Sequence, residues 1–168
     1  MSQVIKGRYT AQMEGPFVVF IIGMRINRFW MVWKWWPVFT AMVPMLKTLM
    51  NHPEKGFLHG EFFLYWRGPA LVQYWKSMED LERFARSPRE PHLSAWQKFN
   101  RHVSVKGTVG IWHEAYEVAA GKYHCLYNNM PVFGLSKAGK HIPADAAYEA
   151  GRRSENDPFD SPHSPGTS

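Results

Sequence analysis

The chain has 168 residues, the size of one domain, and 45% of them are hydrophobic, including eight Trp and eleven Phe, enough to bury a sizeable core. The net charge of +6 is scattered, with no run of Lys or Arg longer than two, which argues against the concentrated basic stripe of a nucleic-acid binder. A single cysteine, Cys125, excludes an internal disulfide and a cysteine-built zinc cluster, so no metal is expected.

The first fourteen residues are polar and lack the apolar centre of a signal peptide, so they read as an N-terminal arm. With the lone cysteine, this leads us to expect a cytoplasmic protein. Residues 16–26, PFVVFIIGMRI, are a continuous apolar run that reads as a strand buried on both faces. The uncharged stretch Gly15–Met24 is far short of the roughly 20 residues that span a bilayer. The Trp-rich stretch Phe29–Trp36 reads as a buried aromatic wall, with a membrane-surface segment as the alternative. Over residues 35–50, Trp35, Phe39, Met42, Leu46 and Leu49 fall on one helical stripe. Pro37 suits a helix start, and Pro44 is expected to kink the helix or delay its beginning.

Two strands follow, 57–66 and 70–76, joined at Arg67-Gly68-Pro69 into a hairpin. Ser77 is the expected N-cap of a helix whose first turn carries Glu79 and Asp80. A second helical piece is expected over 92–102, then a strand over 108–118 and a short fifth strand over Tyr123–Tyr127. From about Arg152 the chain lacks large apolar residues apart from Phe159, and we expect disorder. The order β-α-β-β-α-β is the ferredoxin-like arrangement of the α+β class, with one four-stranded antiparallel sheet over residues 15–140 and a C-terminal extension over 141–168. Helices on one face leave the other bare, so we expect a homodimer, a dimeric α/β barrel with two sheets facing each other.

Residues 109–135 stand apart. They combine Trp112, His113, Glu114, three tyrosines, His124 and Cys125, where ordinary core strands use Val, Ile and Leu. That composition suggests a polar-lined cavity.

The segments FTAMVPMLKTLMNHPEKGFL, VQYWKSMEDLERFAR, HLSAWQKFNR, VGIWHEAYEV and YNNMPVFGLSKAG appear in the order in which they occur in a known family. The chain resembles the DUF4188, or monooxygenase-like, proteins of the dimeric α/β-barrel superfamily. The resemblance implies a ferredoxin-like dimer related to small antibiotic-biosynthesis-type monooxygenases, which include cofactor-free and haem-using enzymes. It also implies one departure: an acidic residue usually follows the tyrosine of the last strand, whereas Tyr123 is followed here by His124.

The implied function is a monooxygenase-like oxidoreductase acting on an apolar or aromatic small molecule, with no cofactor or with haem. The alternative is a non-catalytic dimeric binder of such a molecule. His113, Glu114 and His124 are the candidate catalytic residues, since imidazole titrates near neutrality and a carboxylate among aromatics is desolvated. Regular alternation puts His113 and Glu114 on opposite faces, Glu114 together with Trp112 and Tyr116. His92 and Trp96, four apart on one helix face, are candidates for holding a haem. Trp66, Tyr74, Trp75, Trp112 and Tyr116 are candidates for stacking on a substrate ring. Each has a plainer reading as core packing or a solvated surface group.

Overall fold

The computed structural model describes residues 3–87 and 107–145, and of residues 38 and 41–45 the backbone alone. His92, Trp96, the helix expected over 92–102 and the tail from 152 lie outside the described residues.

The elements are β1 (Ile5–Gln12), β2 (Phe17–Ile26), α1 (Val32–Asn51), β3 (Phe57–Tyr65), β4 (Gly68–Trp75), α2 (Met78–Arg86), β5 (Val109–Val118), β6 (Tyr127–Met130), α3 (Leu135–Ala138) and β7 (Lys140–Pro143). The main sheet is antiparallel with spatial order β3-β4-β2-β5, the strand arrangement of a ferredoxin-like fold. Its apolar strands occupy the positions expected from sequence to within about two residues.

Alternation along β2 divides the core. Val18, Phe20, Met24 and Ile26 face α1 and α2. There they pack with Leu46, Leu49, Trp75 and Leu81 at one end and with Trp35, Phe39, Val109 and Ile111 at the other. Phe17 and Val19 face the opposite side. Helix α2 starts as expected: the Ser77 hydroxyl accepts from the Asp80 N–H at 3.1 Å. Arg83 in its last turn bonds Glu79 and Asp80. Helix α1 begins at Val32 and continues through Pro37 and Pro44, so Pro37 is not its start and Pro44 does not delay it. Each proline removes one amide donor and crowds the carbonyl one turn earlier, a cost of about 3 kcal/mol that the packing of Trp35, Phe39, Leu46 and Leu49 on the sheet offsets.

Three expectations are corrected. The N-terminal arm contains strand β1, which lies between β6 and β7 in a separate three-stranded antiparallel sheet. The fifth strand covers Tyr127–Met130, not Tyr123–Tyr127, and pairs with β1. Together with α3 this small sheet packs on the face of the main sheet away from the helices, through Ala11, Phe17, Val19, Tyr74, Val118 and Leu135. That face is therefore covered in part by the chain's own ends. The aromatic wall over Phe29–Trp36 is also not buried: Trp30, Trp33 and Trp36 are 71%, 68% and 52% exposed. A 3.6-residue period turns Trp35 and Phe39 inward, and their neighbours on the helix outward.

Candidate functional site

Strand β5 pairs with β2 in unbroken register, with His113 opposite Ile22 and Glu114 opposite Ile21. His113 therefore lies on the helix side of the sheet, its ring 5.8 Å from that of Phe20. Among the described residues no hydrogen bond engages its ring nitrogens. Glu114 lies on the other face with Tyr116, whose hydroxyl donates to the Glu114 carboxylate at 2.5 Å. That bond to a carboxylate raises the Tyr116 pKa. Both side chains are open to solvent, so Glu114 is not the desolvated acid expected from its aromatic neighbours. His124 is exposed in the segment between β5 and β6. The three candidate catalytic residues do not converge.

The aromatic candidates separate as well. Trp75 is wholly buried in the helix-side core. Trp66 stands 78% exposed at the β3–β4 turn, with the Arg25 and Arg67 guanidinium groups over its ring. Trp112 packs over Gly23, where any Cβ would stand 2.7 Å from its indole. Its Nε1 donates to the Tyr65 hydroxyl at 2.7 Å. Tyr74 faces the small sheet.

A second polar group lies between the main and small sheets. Glu61 Oε1 is 3.0 Å from His59 Nε2 and 2.9 Å from Lys137 Nζ, and accepts from the Gly134 N–H at 3.2 Å. Burial alone pushes the Glu61 pKa up, but the bonds from Lys137, His59 and Gly134 outweigh it and hold the carboxyl below its ordinary value. The Tyr74 and Tyr127 hydroxyls flank Gly134. Burial foremost, then Tyr127, Glu61 and Cys125, push the Tyr74 phenol up to about 12. Cys125 Sγ is 3.3 Å from the Ala11 amide and 3.4 Å from Thr10 Oγ1. The His141 ring stacks on Tyr9 at 4.5 Å, its Nδ1 is 3.1 Å from Ser136 Oγ, and its Nε2 is buried without a partner among the described residues.

Sequence reasoning passed over Glu61, Lys137 and His141. Its available signal was the His59-x-Glu61 spacing, which puts an imidazole and a carboxylate on one face of a strand. The cluster holds one carboxylate ionised beside neutral phenols, an arrangement suited to fixing structure or orienting a polar group. Among the described residues no three His, Cys, Asp or Glu side chains converge as a metal site.

Tyr74 gives a pH dependence. Its pKa is higher folded than unfolded, where tyrosine titrates near ~10. Its contribution to stability is therefore complete below about pH 10 and is lost as pH rises toward about 12. Denaturation midpoints followed by circular dichroism should fall over this window, and Tyr74→Phe should flatten the fall.

A haem would need an axial imidazole or thiolate beside room for a porphyrin. A cleft of about 500 Å³ beside the small sheet is lined by Gln12, Met13, Glu14, Pro16, Leu58, Lys76, Ala138, Gly139 and Lys140, which include neither ligand. This cleft does not fit the group.

Residues 17–135 match the model of a family described as monooxygenase af470-like. The chain is 28% identical over 161 residues to a protein named monooxygenase af470 from Aspergillus fumigatus. That match takes in 77% of this chain and 53% of the relative, so the chain spans about half the relative's length. Among solved structures it is similar to a dimeric protein of unknown function and ferredoxin-like fold from Bacteroides fragilis. There the TM-score is 0.45 and the identity 16%, covering 61% of this chain and 96% of the other. It is also similar to a dimeric ferredoxin-like protein from an uncultured marine organism, at TM-score 0.30 and 12% identity, covering 62% and 96%.

Proposed function

The chain belongs to the monooxygenase af470-like family, and on that premise we propose that it is a cofactor-independent monooxygenase-type oxidoreductase for an apolar or aromatic small molecule. The substrate lies on the helix side of the main sheet, and His113 is its base. The observation that carries this reading is the His113 imidazole, exposed on the helix side of β5 with its ring 5.8 Å from that of Phe20 and unengaged among the described residues. An electron-rich substrate with an activated CH₂ loses a proton to His113. The carbanion passes one electron to O₂, and the radical and superoxide combine to a peroxide. His113 returns the proton, and loss of water leaves a carbonyl. Overall, CH₂ and O₂ become C=O and H₂O.

Oxygen uptake with aromatic ketones that carry an activated ring CH₂ tests the reaction. His113→Ala should lower kcat/KM about 10²–10⁴-fold, the usual worth of a positioned base, with circular dichroism unchanged. Glu114→Ala, on the other face, should stay within about threefold of wild type. Full turnover by His113→Ala would overturn the assignment. Ligand binding without oxygen uptake by the wild type would make the protein a binder. A Soret band that travels with the protein and is lost on histidine substitution would replace the cofactor-free step.

The same reading includes a homodimer. The face of the main sheet away from the helices is covered only in part by the small sheet, and its remainder, including the half-exposed Tyr116 on β5, offers a surface for a second copy. A monomer mass by sedimentation at micromolar concentration would remove it.

A further inference from the structure

The surface at the start of α1 and the tip of the β3–β4 hairpin is aromatic and cationic, and the oxygenase reading makes no use of it. Trp30, Trp33 and Trp36 are joined in exposure by Phe29 at 47%, Leu64 at 76% and Trp66 at 78%. The two segments form one patch. The Arg67 guanidinium lies over the Phe29 ring at 4.8 Å and the Trp66 ring at 5.8 Å, and Arg25 lies over Trp66 at 5.1 Å. The Trp35 Nε1 donates to the Phe29 carbonyl at 3.0 Å, and Trp36 stacks on Phe39 at 5.5 Å, which fixes the exposed rings to the helix. Single exposed apolar residues are ordinary; a contiguous run of indoles is not.

The charge around the patch is of one sign. No Asp or Glu occurs from Gly15 to Pro53, nor from Phe62 to Met78, whereas Arg25, Arg28, Lys34 and Arg67 lie in these stretches. A second copy docked by this surface would set those cations against their own equivalents with no carboxylate to pair them. Indoles with basic neighbours match the boundary of a bilayer, where the ring sits at headgroup depth and the cation meets phosphate. Among the described residues no helix is long and apolar enough to cross a membrane, so contact would be from one side.

We propose that the Trp30/Trp33/Trp36/Trp66 patch docks the protein on an anionic phospholipid surface. The chain should co-sediment with vesicles of phosphatidylcholine and phosphatidylserine, and less with phosphatidylcholine alone. Trp30→Ser with Trp33→Ser should reduce partitioning at least tenfold while leaving the thermal midpoint in place, since both indoles are largely in solvent. Arg28→Glu with Lys34→Glu should reduce it about fivefold per residue, as should added salt. This pair also serves if the serine variant fails to fold. Absence of wild-type binding to the mixed vesicles, or partitioning of both variants equal to that of the wild type, overturns the proposal. So does a dimer that becomes monomeric in the serine variant, which would assign the patch to a second copy.

Discussion

Trp75→Ala is expected to lower the free energy of unfolding by about 3–5 kcal/mol, the cost of deleting a large buried aromatic. Trp75 is wholly buried; its ring meets Phe57 edge-on at 5.4 Å and Phe84 at 5.5 Å, joining β3, β4 and α2. Its Nε1 also donates at 3.0 Å to Gln73 Oε1, in a residue only 2% exposed. The variant therefore leaves both a cavity and a buried amide oxygen without its donor, the latter adding about 1–3 kcal/mol. Against the roughly 5–15 kcal/mol that holds a domain together, such a loss brings the chain close to unfolding at room temperature. Urea titration followed by circular dichroism reads it. Trp75→Phe loses the donor and the pyrrole part of the indole but keeps one aromatic ring in the core, so it should cost clearly less; equal losses would show that the hydrogen bond rather than the packing dominates.

Gly68→Ala should be comparably severe, costing about 3 kcal/mol or more, at the upper end of overpacking effects. Gly68 opens β4, and a Cβ there would be driven into the Met24 carbonyl oxygen of β2. Backbone cannot yield as a side-chain tip can. The same region is tied by Ile26 N–H to the Arg67 carbonyl at 2.9 Å and by Arg67 Nε to the Ile26 carbonyl at 3.0 Å. A methyl would lift the hairpin end off β2, so the Ile26 amide should exchange hydrogen faster in the variant. Gly110→Ala is the control: nothing lies closer than 3.9 Å to a Cβ at that strand position, and the change should be neutral or slightly stabilising. Similar losses at both glycines would mean that the close approach to Met24 is not what matters.

What the residue pattern revealed follows from the range of the forces involved. The strands of the main sheet, the Ser77 cap and the inward stripe of α1 rest on contacts at fixed short spacing, and these were legible. So was the separation of His113 from Glu114, which needs only the two-residue period of a strand. Strand β1 was not legible, because its partners lie more than a hundred residues away; Thr10 and Cys125, for example, are 115 apart. The Glu61 cluster was hidden for the same reason, since Lys137 and Gly134 reach it from the far end of the chain. The aromatics of 29–36 misled for a different reason. Apolar composition states that a residue gains by leaving water, but not whether this chain's interior provides the place.

The position of β1 in the middle of its three-stranded sheet bears on how the protein is made. Both edges of that strand must wait for neighbours translated more than a hundred residues later. At about 5–20 residues per second, the ribosome leaves it without a partner for roughly 6–25 s. Over that interval its unpaired amides and carbonyls are open to chaperones or to a neighbouring nascent chain.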